Sequence, residues 1–261
     1  MSEKRVKYKL PEMKEVINQS VVYATDNDVP LMMDIYYPPN LPANSQLPAV
    51  IFVCGYSNSV VLERFGMKLK DFGQYVSWGQ LAAASGLIAI TYETTQPEKD
   101  VFALLAYVRQ NAKTLQIDGD RVGIWACSGN VPAALSVLVD ASTDIKCAVL
   151  YYGLMLDWSE SNEIEALANR YACVYPCKGK SVDDLPQEIP FLVVRTGEDN
   201  PQLNTSIEHF VCEAIKRNLP LMFMNYSKGQ HAFDIANDTV SSRQIIQHTL
   251  AFLQEHLLQT P

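Results

Sequence analysis

One stretch constrains this chain more than any other: Arg121 to Asp140, RVGIWACSGNVPAALSVLVD. Its first half, Val122-Gly123-Ile124-Trp125-Ala126, is an apolar run of the length of a buried strand. Its second half, Val131 to Leu138, reads as a helix, with Pro132 in the first turn, where a missing N–H is no loss. Cys127-Ser128-Gly129-Asn130 has to turn the chain between them, with Ser128 at the apex. In so tight a turn the residues two before and two after the apex approach each other, and both must be small. Ala126 meets that need. Asn130 is larger than Gly, although Asn tolerates unusual backbone angles better than most residues. The helix then points its free N–H groups at the turn, which suits a site where negative charge develops. Cys127 is the rival apex, but that register puts Trp125 two residues before the turn, where bulk is least tolerated. The plain alternative is a serine that merely caps a helix.

The flanking sequence supplies the context. Residues 1–15 read as an irregular or partly helical arm. Val16–Tyr23 and Leu31–Tyr37 are β-rich and separated by Asp26-Asn27-Asp28, so they read as an antiparallel pair. Ala49–Val53 is an uninterrupted apolar strand of the kind central parallel strands require. A mobile-looking stretch to Gly73 precedes a helix over about 75–85, a strand at Leu87–Tyr92 and a helix at Asp100–Ala112. Beyond the Ser128 turn come strands at Lys146–Tyr152, Pro190–Arg195 and Leu221–Tyr226, with helices over about 203–217 and 239–257. Strands alternating with helices imply an α/β fold with a mostly parallel central sheet and helices on both faces. Ligands of such sheets bind at the carboxyl ends of the strands. Residues 154–188 interrupt the alternation after the sixth strand and read as a small insertion. It mixes Trp158, Tyr171 and Tyr175 with Asp157, Glu160 and Glu163. Such a segment serves either as a cap over a pocket or as a surface excursion.

Composition narrows the partners. The chain has 261 residues, 48% hydrophobic and 19% charged, which suits one domain spanning 1–261. A formal net charge of -8 argues against nucleic acid and anionic membranes. No apolar run is long enough for a membrane span, and no secretory signal is visible, so a cytoplasmic protein is expected. Cys54, Cys127, Cys147 and Cys212 lie in apolar segments and are expected to be buried, as in a reducing compartment. Cys173 and Cys177 lack further ligands at metal-binding spacing, so no metal or other cofactor is expected. Whether the chain forms a homo-oligomer is left open.

A serine hydroxyl becomes a nucleophile only when a base takes its proton and a third group orients that base. Two later strands end in loops with suitable groups: Thr196-Gly197-Glu198-Asp199-Asn200-Pro201 and Ser227-Lys228-Gly229-Gln230-His231-Ala232-Phe233. The other histidines, His209, His248 and His256, fall in helical segments. Asp199 and Glu198 are both candidates for the acid, and Asp199 can also be read as a turn residue before Pro201.

With the Ser128 turn, Arg195–Asp199, Leu203-Asn204 and Gly229–Phe233 in this order, the chain resembles an α/β-hydrolase of the dienelactone-hydrolase and esterase-like branch, over roughly residues 20–258. The resemblance implies Ser128 as nucleophile, Asp199 as acid and His231 as base. It implies an oxyanion hole made by the N–H of Gly129 and, by position in the loop after the third strand, that of Tyr56. Gly55 permits the close approach there. Dienelactone hydrolases carry Cys at the apex, so their particular reaction does not carry over to Ser128. Gly55, Cys127 and Trp158 are pocket candidates, although Cys127 is expected to point to the packed side of the turn. The implied activity is cleavage of a small-molecule carboxylic ester through an acyl-enzyme, without a cofactor. Two alternatives stay open. One is a peptidase or aminoacyl hydrolase resembling the prolyl-oligopeptidase catalytic domain. The other is a catalytically silent binding protein on the same fold.

Overall fold

The computed structural model describes residues 2–156 and 163–258. An antiparallel hairpin comes first: β1 (Ile17–Asp26) and β2 (Val29–Tyr37). Its two-residue turn, Asn27 and Asp28, takes φ of 47° and 64°, the left-handed pair whose twist matches a hairpin. The chain continues through β3 (Leu47–Phe52), α1 (Asn58–Phe65), α2 (Gly73–Ala84), β4 (Ile88–Tyr92) and α3 (Pro97–Gln110). Then follow β5 (Ile117–Cys127), α4 (Val131–Val139), β6 (Ala148–Tyr151) and α5 (Glu163–Tyr171). The last third holds β7 (Phe191–Glu198), α6 (Pro201–Lys216), β8 (Leu221–Gln230), the single turn α7 (Phe233–Ala236) and α8 (Val240–Leu258). Among the described residues no helix is long and apolar enough to cross a membrane.

The strands form one sheet in the order β1-β2-β4-β3-β5-β6-β7-β8. Only the two pairings of β2 are antiparallel; β4, β3, β5, β6, β7 and β8 run parallel. Alternation along β5 shows how the sheet is covered. A side chain on Gly123 would meet Leu257 of α8, and Trp125 packs on Trp78 of α2 with ring centroids 5.4 Å apart. Both residues therefore face the layer made by α2 and α8. Their neighbours Ile124 and Ala126 face the opposite layer. Phe52 and Tyr151 join Trp125 at 5.3 and 5.5 Å, so a buried aromatic block stands directly beneath the end of β5.

Two expectations are corrected. The stretch before Gly73 is not loose chain: Ser57 to Gly66 frames the eight-residue α1, and Lys68 and Lys70 beyond it pair with the buried Glu93 and Asp34. Cys212 is exposed on the outer side of α6, while Cys54, Cys127, Cys147, Cys173 and Cys177 are buried; all six are free thiols. Helical spacing explains Cys212: α6 buries Leu203, Ile207, Phe210, Val211 and Ala214, and position 212 lies off that stripe.

The segment after β6 builds a small satellite core. α5 buries Ile164, Leu167 and Ala168 on one face, against Leu154, Cys173 and Leu203. This brings Tyr171, at the end of α5, next to the carboxyl edge of the sheet. Its hydroxyl accepts from Asn200 Nδ2 at 2.9 Å, and its carbonyl accepts from Arg64 Nη1 at 2.8 Å.

Candidate active site

The turn at Ser128 stores strain. Ser128 takes φ of 55°, a left-handed conformation that a non-glycine residue holds only when its surroundings impose it. Those surroundings are β5 on one side and α4 on the other, with the turn 128–130 forming a single tight 3-10 turn. Asn130, in contrast, has ordinary helical angles, φ -85° and ψ -17°. Its value lies in its side chain. Asn130 Oδ1 accepts from the Gly55 N–H at 2.7 Å, and Nδ2 donates to the Cys127 carbonyl at 2.9 Å. A glycine at this position could not bind the loop after β3 to the turn.

Gly55 is pressed against that turn. A Cβ placed on it would lie 2.5 Å from the Gly129 carbonyl oxygen and 2.7 Å from Asn130 Cα. Gly55 therefore does not line the cavity, as the sequence suggested; it lets the loop after β3 touch the turn. The loop is pinned along its length. Val53 O accepts from Tyr75 Oη at 3.0 Å, Cys54 N donates to Tyr92 Oη at 3.1 Å, and Gly55 O accepts from Val174 N at 3.0 Å. Tyr56 thus lies beside Gly129, where any added Cβ would fall 2.1 Å from Tyr56 Oη.

The loops after β7 and β8 bring the other two groups. Ser128 Oγ is 2.9 Å from His231 Nε2, and His231 Nδ1 is 2.7 Å from Asp199 Oδ2. Asp199 Oδ2 also accepts from Thr196 Oγ1 at 2.8 Å, and Oδ1 from the Asn200 N–H at 2.7 Å. Burial pushes the Asp199 carboxyl up, but the His231 hydrogen bond and charge, with the Asn200 and Thr196 donors, outweigh it and hold it below its ordinary value. An ionised carboxylate only accepts, so the His231 proton sits on Nδ1. Nε2 is then an acceptor aimed at Ser128, and the serine hydroxyl donates to it. Glu198, the other acid of the loop, is exposed at the end of β7 opposite Gln230. His209 and His248 are exposed on α6 and α8.

Ser128 and His231 open into a cavity of about 300 Å³, at the small end for ligand sites. Val61, Leu69, Phe72 and Ile235 give it apolar walls, and Arg64 and Tyr171 also line it. Cys127 also lines it, with its Sγ 3.8 Å from Asn130 Nδ2 in the buried part of the turn. Burial pushes the Cys127 thiol far above its ordinary range, which favours the protonated form. Trp158, the third pocket candidate, lies outside the described residues.

Sequence reasoning missed a second layer. Tyr152, just past β6, takes φ of 35° and sets its ring against His231 with centroids 4.9 Å apart. Its hydroxyl donates to Asp234 Oδ1 at 2.6 Å. Asp234 Oδ2 accepts from Gln74 Nε2 and Trp78 Nε1, each at 2.8 Å. Tyr152 could have been suspected from its place at the carboxyl end of a parallel strand. Nothing in the sequence pairs Gln74 with Asp234. The wall contributed by α1 was missed with α1 itself.

No family model and no curated relative matches this chain. Solved structures do. The propionate-bound thermophilic esterase Est2 of Thermogutta terrifontis superposes with a TM-score of 0.71 at 17% identity, covering 96% of this chain and 98% of that one. The same esterase phosphoramylated by tabun gives 0.69 at 17%, over 95% and 96%. MGS-M1, an α/β-hydrolase from a Medee basin deep-sea metagenome library, gives 0.68 at 16%, over 94% and 99%. The chain has the α/β-hydrolase fold.

Proposed function

We propose that this protein is a serine hydrolase that cleaves a carboxylic ester of a small molecule through an acyl-enzyme. The observation that carries the reading is the relay Ser128–His231–Asp199, with contacts of 2.9 and 2.7 Å, on a strained turn at a cavity. His231 Nε2 takes the Ser128 proton as Oγ bonds to the ester carbonyl carbon, and the carbonyl oxygen becomes an oxyanion. The N–H groups of Gly129 and Tyr56 hold that oxyanion, which the pinned loop after β3 keeps in register. When the tetrahedral species collapses, the alcohol leaves with the proton from His231. A water molecule then repeats the sequence on the acyl-enzyme and frees Ser128. Asp199 holds the imidazole in the productive tautomer throughout. α1 and Tyr171 limit what fits, so the segment after β6 acts as a partial cap.

The neighbours support the same reading. The Thermogutta terrifontis protein is an esterase, and its capture phosphoramylated by tabun is the behaviour of an activated serine. The test is hydrolysis of short-chain p-nitrophenyl esters. The wild-type protein is expected to show saturable turnover, and Ser128→Ala to fall to the background rate. Undiminished turnover by Ser128→Ala overturns the assignment.

A further inference from the structure

The cavity wall carries a polar group that ester cleavage itself does not use. Gln74, in the first turn of α2, is 8% exposed and lines the cavity. Its Nε2 donates to Asp234 Oδ2 at 2.8 Å and to Tyr152 Oη at 2.9 Å. An amide nitrogen has two hydrogens, and these two acceptors use both. Flipping the amide would set its oxygen against the Asp234 carboxylate, which already takes Trp78 Nε1 and Tyr152 Oη as donors. Gln74 Oε1 is therefore fixed on the opposite side. Among the described residues no donor reaches it, and it is not sealed in the core, so the cavity is the space it faces. Phe72, Tyr75, Leu69 and Ile235 around it are apolar or aromatic.

We propose that Gln74 Oε1 is a hydrogen-bond-accepting subsite, and that the substrate is an ester whose cavity-seated part carries a hydroxyl or an N–H. The proposal rests on the ester hydrolysis assigned to Ser128. The Tyr152 ring separates this subsite from the imidazole: its ring packs on His231 and its hydroxyl binds Gln74. The donor therefore sits away from the scissile carbonyl, at the far end of the seated group. An apolar group there removes water from Oε1 and leaves the acceptor unpaired. A donor of the right reach replaces the water's bond. An acceptor-only group such as an ether gains nothing from it.

The experiment compares matched esters at increasing chain length. On the acyl side these are methyl alkanoates, their ω-methoxy forms and their ω-hydroxy forms. On the alcohol side they are alkyl acetates, ω-methoxyalkyl acetates and diol monoacetates. At one chain length of one series the hydroxyl form is expected to lead both partners in kcat/KM by about tenfold, the scale of one hydrogen bond. In Gln74→Met that ratio is expected to fall to about one. The ratio is taken within one preparation, so a partly unfolded variant does not distort it. Gln74→Glu is the conservative control. Beside Asp234 its carboxyl is favoured in the protonated form, which donates inward and leaves a carbonyl oxygen for the cavity, so the preference is expected to persist. Equal rates for hydroxyl, methoxy and plain esters in both series overturn the subsite while leaving ester hydrolysis intact. A hydroxyl preference that survives Gln74→Met overturns its assignment to Gln74. Absence of turnover on every ester removes the proposed function, and the subsite with it.

Discussion

Asp199 and Asp234 are both buried carboxylates tied to His231, the first by a direct contact and the second by lying three residues beyond it in the chain. Their partners separate them. Asp199 takes one ring N–H, one hydroxyl and one backbone N–H, and faces the imidazole. Asp234, with no exposed surface, takes an indole, an amide and a phenol, and reaches His231 only through the Tyr152 ring. One carboxylate holds the His231 ring. The other locks α2, the end of β6 and the loop after β8 into the wall behind it. The difference teaches that a carboxylate's role follows from the donors it meets, not from how near it stands to a histidine in sequence.

Substitutions can set the two apart. Asp199→Asn is expected to lower kcat by about four orders of magnitude, because the imidazole loses its anion and its tautomer, with only a modest fall in the neutral-pH unfolding midpoint from the lost His231 contact. If Glu198→Gln shows that loss instead, the acid is misassigned. Asp234→Ala should do the reverse. It strands the Trp78, Gln74 and Tyr152 donors, at a cost of about 3 kcal/mol or more in urea unfolding. Its kcat per folded molecule should fall by no more than about a hundredfold, the penalty of a slightly misplaced base. Equal rate losses in the two variants would erase the distinction.

A smaller effect concerns acid. The Asp199 carboxyl is held below its ordinary value in the fold, chiefly by His231 working against the upward push of burial. A depressed carboxyl contributes stability that is fully present above the unfolded value of about 3.9 and is lost as pH falls through the folded value. Urea midpoints measured from about pH 5 down to pH 3 should therefore drop less steeply in Asp199→Asn than in the wild type. Identical slopes would mean that the His231 contact adds nothing to the fold.

The fold was largely legible because its strands are continuous apolar runs, such as Ala49–Val53 and Val122–Ala126, and its helices show the longer period. The Ser128 turn and the loops bearing Asp199 and His231 were legible because each follows a strand and carries a reactive side chain. α1 was not. Eight residues cannot sustain a helix alone, and packing over the cavity supplies what propensity lacks. Its stop signal, Gly66 at φ 73°, was nevertheless readable. The Asn130–Gly55 bond and the Gln74–Asp234 bond join residues 75 and 160 positions apart, and no local pattern encodes such pairings.

The central claim is that Ser128 is the nucleophile made reactive by His231 and Asp199, and a fluorophosphonate probe tests it most directly. The reagent reacts with a serine only where a base and an oxyanion site activate it. Peptide mapping by mass spectrometry should place the label on Ser128 alone, with Ser128→Ala unlabelled, His231→Ala and Asp199→Asn strongly slowed, and Asp234→Ala still labelled in its folded fraction. A label on Cys127 or on another serine, or a folded wild-type protein that takes no label, would contradict it.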